Sequence, residues 1–132
     1  MMSSENVKLI HQWIETANRQ DGEALAELYH EDGVYSSPFG SNEGKDSIRT
    51  AFLQIFDITP DLITDIVHLV ADGDQVAIDM VAYGTNVKPH PSVPGSQAGL
   101  KLYNHGVHWF KIRDGKIATD TAFYDKSLMF RD

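Results

Sequence analysis

The sequence predicts an α+β domain in which three N-terminal helices pack inside a cone-shaped, strongly curved antiparallel β-sheet enclosing a pocket. Three observations carry that expectation. The chain has 132 residues, enough for one domain and too few for two. Apolar residues recur at helical spacing in its first half and fill long strand-like stretches in its second. Two Asp-Gly pairs, Asp72-Gly73 and Asp114-Gly115, join those stretches two by two, and Asp-Gly between such runs is a strong hairpin signal. Helices followed by a meander of long strands can leave an apolar hollow with polar groups inside.

Ser3 or Ser4 can cap a first helix over residues 4 to 19, whose apolar face is Val7, Ile10, Trp13, Ile14 and Ala17. Asp21 can cap a short second helix with Ala24, Leu25, Leu28 and Tyr29 on its inner face, stopped by a left-handed glycine near Asp32-Gly33. Val34 to Gly40 reads as a short strand broken at Pro38. After Gly44, the residues Ile48, Ala51, Phe52, Ile55 and Phe56 mark a third helix that Pro60 ends. Residues 62–70 and 75–85 form the first hairpin, and residues 100–112 and 116–124 the second. Between the hairpins, residues 86–99 carry Pro89, Pro91, Pro94, Gly95 and Gly99, a loop long enough to fold over a pocket mouth. No internal repeat is visible.

Composition narrows the function classes. With 42% hydrophobic and 23% charged residues the chain is an ordinary globular protein. It lacks cysteine, which excludes thiolate nucleophiles and disulfides and makes a cytoplasmic home the simplest expectation. The net charge of −8, with basic residues scattered singly, argues against nucleic acid and anionic membranes as partners. The opening Met1 to Asn6 is polar and acidic, unlike a signal peptide, and no apolar run reaches spanning length. Neither a nucleophile elbow nor a phosphate-binding glycine motif appears. No cofactor is implied.

Five segments carry a family likeness: Leu28 to Tyr35, Ser37-Pro38-Phe39-Gly40, Gly44 to Ile48, Ala71 to Val76, and Phe110 to Ile117 followed by Phe123-Tyr124-Asp125. Together they resemble the nuclear transport factor 2-like superfamily, in its SnoaL-like polyketide cyclase and ketosteroid isomerase branch. That superfold hosts cyclases, isomerases, epoxide hydrolases, dehydratases and plain binding proteins, so the likeness speaks to fold more than to function. In the resemblance, the isomerase's general-base aspartate falls at Ser37, its helix-one tyrosine at Trp13, and its protonated aspartate at His108. A ketosteroid isomerase reaction by the same groups is therefore not expected.

Positions two apart on a strand share a face. Asn104, Gly106 and His108 then look one way, into the hollow by the resemblance, and Tyr103, His105, Val107 and Trp109 the other. Gly106 suits close approach by a ligand or a sheet bend. His105 and His108 point to opposite faces and cannot share a metal. His108 is the first candidate for acid–base chemistry, because imidazole titrates near neutrality. Asp120 on the last strand is its natural partner, and the family's cyclases are understood to use an aspartate and a histidine on these two strands. The phase of that strand stays open: Ala118, Asp120, Ala122 and Tyr124 face inward, or a bulge swaps them with Ile117, Thr119, Thr121 and Phe123. Tyr35, Phe39, Phe52, Phe56, Met80 and Trp13 form the expected apolar wall, with Ser37, Asn104 and Tyr124 as polar ligand-binding groups. Asp79 reads as an outward charge and Asp125 as the cap of a terminal turn. His11, His30 and His68 have no spacing that groups them, and His90 on the proline-rich loop can swing over the entrance.

Two functions fit these features. One is a cofactor-independent acid–base enzyme acting on an apolar, carbonyl-bearing small molecule by isomerisation, cyclisation or hydration. The other is a binding or interaction module whose outward stripe of Tyr103, Val107, Trp109, Val81 and Tyr83 is the working surface. A homodimer through the outer sheet face is expected under either.

Overall fold

A computed structural model of the chain describes residues 3–93 and 96–131; the side chains of Ser3 and Arg131, and the expectations that fell on Met1, Met2, Pro94 and Gly95, lie outside what is described. Helix α1 (Ser3–Asn18) and the short α2 (Gly22–Ala26) lead into strands β1 (Tyr29–Ser37) and β2 (Gly40–Glu43), then α3 (Lys45–Ile58). Four long strands follow: β3 (Ile63–Asp72), β4 (Gln75–Thr85), β5 (Lys101–Arg113) and β6 (Lys116–Phe123). A 3-10 turn (Lys126–Leu128) and the two-residue β7 (Phe130–Arg131) complete the order. The α+β class read from the sequence is the class observed. No helix among the described residues is long and apolar enough to cross a membrane.

Strand order across the sheet is β2-β1-β6-β5-β4-β3, with β7 pairing on β5. The sheet is mixed, because β1 runs parallel to β6 while every other pairing is antiparallel. The parallel pairing is allowed by connectivity: β1 and β6 are far apart in sequence, and helix α3 with four strands intervenes.

Helix α1 buries Leu9, Ile10, Trp13 and Ala17 against the concave side. Ser4 lies within this helix rather than capping it. Two asparagines pin it to β3 and β4: Asn6 Nδ2 donates to the Gly73 carbonyl at 2.7 Å, and Asn18 exchanges two hydrogen bonds with the Thr64 backbone. Helix α2 is capped by Asp21, whose carboxylate accepts the Ala24 N–H at 3.0 Å. It stops at Ala26, so Tyr29 starts β1 rather than ending the helix, and no left-handed glycine is needed at Gly33. Gly44 does require glycine. Its φ of 90° caps α3 while its N–H reaches the Gly33 carbonyl at 2.7 Å.

Both hairpins form, with different turns. Arg113 pairs with Lys116, leaving Asp114-Gly115 as the loop with positive φ at both residues, the type I′ pattern. Asp72 pairs with Gln75, so the first loop is Gly73-Asp74 rather than Asp72-Gly73, and only the glycine has positive φ, the type II′ pattern.

Two bulges decide which side chains face the helices. In β3 the register slips between Ile66 and His68, making Val67 the extra residue and turning His68 outward. In β6 it slips where Lys111 meets Thr119 and Ile112 meets Ile117, making Ala118 the extra residue. Both Ile117 and Asp120, three apart, are therefore buried on the same side.

Gly106 makes room for the chain rather than for a ligand. A Cβ there would lie 2.6 Å from the Phe123 carbonyl oxygen and 2.9 Å from the Tyr124 Cβ. Gly106→Ala should therefore destabilise the fold by roughly 1–3 kcal/mol through overpacking, read as a lower urea midpoint; an unchanged midpoint would show that the end of β6 moves freely.

Candidate functional site

The concave side of the sheet and the inner faces of α1 and α3 enclose a cavity of ≈ 450 Å³, within the size range of small-molecule sites. Helix positions supply Trp13, Phe52 and Phe56, and β1 with its turn supplies Tyr35, Ser37 and Phe39. Met80 on β4, Asn104 and His108 on β5, and Tyr124 just after β6 close the other side. The structure thus brings every expected wall residue to one cavity. Phe52 stacks on Tyr35 with centroids 5.1 Å apart, and Trp13 packs 5.0 Å from the His108 ring.

Asp120 is not on the cavity wall. It is fully buried behind His108, and the two are joined by a 2.7 Å hydrogen bond between His108 Nδ1 and Asp120 Oδ1. The other carboxylate oxygen accepts the Tyr29 hydroxyl at 2.6 Å, and that hydroxyl in turn accepts Trp13 Nε1–H at 2.9 Å. Four side chains from α1, β1, β6 and β5 therefore form one hydrogen-bonded chain ending at the cavity. With Asp120 accepting from both sides, Nδ1 of His108 carries a proton, and in the neutral imidazole Nε2 then bears the lone pair. Among the described residues Nε2 has no hydrogen-bond partner.

Burial, reinforced by the Asp120 charge, holds the Tyr29 phenol well above the usual tyrosine range. Burial also raises Tyr35, with Tyr124 and Asp120 adding to it, and it raises Tyr124. The Ser37 hydroxyl opposes the rise at Tyr35 and Tyr124. These phenols stay protonated at neutral pH, and Tyr29 donates its hydrogen to Asp120. Tyr124 lies over Gly106, between Asn104 and His108 on the inner face of β5. Asn104 makes no side-chain hydrogen bond among the described residues, so its amide is available within the cavity.

The SnoaL-like domain family matches residues 10–119. The chain belongs to this family. Among solved structures, a proposed SnoaL-like polyketide cyclase from Jannaschia sp. is 17% identical with a TM-score of 0.82, covering 93% of this chain and 87% of its own. The proposed hydroxylase AclR from Streptomyces galilaeus is 18% identical with a TM-score of 0.80, covering 94% and 91%. The epoxide hydrolase/cyclase-like enzyme SalBIII, described in pyran ring formation in the polyether salinomycin, is 20% identical with a TM-score of 0.80, covering 99% and 100%. At such identities the likeness is one of fold. No curated protein matches the chain.

Set within a SnoaL-like domain, the open phase of the last strand is settled: the Ala118 bulge turns Asp120 inward without turning Ile117 out. Helical spacing from Leu25 hides Tyr29 as a site residue, because it places Tyr29 on α2 rather than at the start of β1. The signal available was the run His30-Glu31-Asp32-Gly33, which is too polar and too poor in helix formers to continue a helix face. Spacing also leaves His68 ungrouped. On the outer sheet face His68 Nδ1 and His105 Nε2 meet the two oxygens of Asp79, at 3.0 and 2.7 Å. These bonds, that of His68 first, hold Asp79 below the usual carboxylate range. His11 is exposed, and His30 meets the Arg113 carbonyl. Among the described residues no group of three or more His, Asp or Glu side chains is placed to hold a metal ion.

Tyr29→Phe leaves a buried carboxylate oxygen and the Trp13 N–H without a partner, and should cost roughly 1–3 kcal/mol in chemical denaturation. Above about pH 10 the unfolded chain loses phenol protons that buried Tyr29 and Tyr35 retain. Stability therefore falls as pH rises there, and the slope should be shallower in Tyr29→Phe. An identical alkaline slope in both proteins would contradict the buried phenol's role.

Proposed function

We propose that this SnoaL-like domain is a cofactor-independent acid–base enzyme acting on a mostly apolar, carbonyl-bearing small molecule. The observation that carries the reading is His108 on the cavity wall, with its Nδ1 held by a fully buried Asp120. A base oriented this way presents Nε2 to a bound molecule. It removes a proton from carbon next to a carbonyl, the electron pair moves onto the carbonyl oxygen, and the proton returns at another position or the carbanion attacks a second carbonyl. Asn104 or Tyr124 donates to the developing oxyanion, both lining the same cavity. Asp120 and Tyr29 are positioning residues, fixing the tautomer and tilt of the ring without touching substrate. The aromatic wall excludes water. The nearby cyclase and epoxide hydrolase/cyclase-like folds support this class of chemistry. Ser37, Trp13 and His108 stand where ketosteroid isomerase chemistry would need two carboxyls and a phenol, so that reaction is not proposed. A chain without cysteine fits a cytoplasmic home.

Proton abstraction can be measured without the natural substrate, as deuterium uptake at C1 of 2-tetralone in D2O followed by NMR. The wild-type chain should accelerate it, and His108→Ala should lose roughly 10²- to 10⁴-fold of that rate. Asp120→Asn should lose less while keeping 2-tetralone affinity. Undiminished exchange in His108→Ala would dismiss the assignment.

The outer face of β3, β4, β5 and β6 supports a second proposal, self-pairing about a two-fold axis. Tyr83, Tyr103, Trp109 and Phe123 stand exposed there on adjacent strands, and aligned exposed aromatics of this kind mark interfaces. Sedimentation equilibrium at micromolar concentration should give twice the chain mass, and Trp109→Glu should give the single mass with unchanged circular dichroism. A wild-type monomer would refute the pairing.

A further inference from the structure

The proline-rich loop carries a second imidazole to the same cavity. His90 lines its wall, half-buried, with its ring stacked on Phe39 at a centroid distance of 4.7 Å and an interplanar angle of 21°. Phe130, brought by β7, packs against it at 6.0 Å. The loop fixes the residue from within: His90 N–H donates to Ser96 Oγ at 2.8 Å, and Ser96 Oγ donates back to the His90 carbonyl at 3.1 Å.

One further bond sets the chemistry of the ring. The Ser92 backbone N–H donates to His90 Nδ1 at 3.0 Å. A backbone N–H can only donate, so Nδ1 is the unprotonated nitrogen and Nε2 bears the hydrogen. Burial lowers the His90 pKa below the usual histidine range, which keeps the ring neutral. Among the described residues the Nε2–H has no acceptor. At His108 the arrangement is reversed, with the proton on Nδ1 and the lone pair on Nε2. One cavity thus holds two imidazoles of opposite hydrogen-bonding sense.

We propose that His90 is a ligand-contacting residue whose Nε2–H donates to an oxygen acceptor of the bound molecule, at the end remote from the group that meets His108. The ligand class is then an elongated, flat, apolar molecule with two oxygen functions, one the carbonyl whose neighbouring carbon gives its proton to His108 and the other an acceptor for the His90 Nε2–H. The Phe39–His90 stack suits a flat, ring-bearing outer end. This specificity rests on the cavity being a binding site, the reading given above, and adds to it which atoms the ligand must carry.

Two fluorescent probes of nearly equal shape separate the contributions: 6-acetyl-2-naphthol, which has the outer acceptor, and 6-isopropyl-2-naphthol, which lacks it. Titrated into the wild-type chain, the acetyl compound should bind roughly three- to tenfold more tightly, the yield of one hydrogen bond. His90→Phe keeps an aromatic ring on Phe39 but no donor, and should erase that preference while leaving the isopropyl compound's affinity unchanged. His90→Gln, which retains an N–H donor, should restore part of it. A preference that survives in His90→Phe, or an equal fall for both probes, overturns the assignment of His90 alone. If neither naphthol binds the wild-type chain, the binding-site reading falls instead.

Discussion

A carboxylate sealed from water is costly unless its oxygens are occupied, and Asp120 meets that requirement with the Tyr29 hydroxyl on one oxygen and His108 on the other. Those partners come from opposite flanks of Asp120, β1 and β5, and Trp13 from α1 supports the first of them. The hydrogen-bonded chain therefore joins the parallel strand pair, the antiparallel pair and the first helix at one point. Removing any member leaves a buried polar atom stranded, which is why the ring of His108 has one orientation to offer the cavity. The apolar wall around it is replaceable in a way this chain is not, since volume-conserving exchanges of hydrophobic side chains are tolerated.

Sheet irregularities do the positioning. A strictly alternating β6 that buried Ile117 would turn Asp120 to the outside. The extra residue at Ala118 allows both to be inside. The same device at Val67 moves His68 to the convex side, beside Asp79 and His105. Two one-residue slips thus sort the ionisable groups into an inner relay and an outer cluster. Gly106 completes the arrangement, because only a bare Cα lets the chain after β6 cross close enough to hang Tyr124 between Asn104 and His108.

Much of this was legible in the sequence. The periodicity of α1 and α3 and the two hairpins follow from spacing, the inward set of β5 from spacing together with the family resemblance, and the wall residues from Trp13 to Tyr124 lie on one cavity. What was not legible depends on pairing between distant segments. A bulge leaves no compositional mark at Ala118 or Val67, since either residue is ordinary in a strand. The exit from α2 is masked in the sequence, because Leu25, Leu28 and Tyr29 keep helical spacing past the end at Ala26. Tyr29 consequently looked like a packing residue, when its hydroxyl is what anchors the carboxylate. Asp72-Gly73 signalled the hairpin correctly but not its centre, because a glycine also serves as the first residue of a type II′ turn.

Helix α1 is stitched to residues far along the chain, through Asn6 to Gly73 and Asn18 to Thr64, while β1 waits for β6 to lie beside it. An emerging polypeptide gains little from α1 until the first hairpin has been made, and little from β1 until the second, because ring closures this long must precede the contacts that reward them. Within the domain the site becomes whole late, because Asp120 on β6 follows every other member of its hydrogen-bonded chain, Trp13, Tyr29 and His108. A fragment that ends before β6 would carry the aromatic side chains of the lining other than Tyr124, yet with no anion for Tyr29 to grip and an imidazole free to turn.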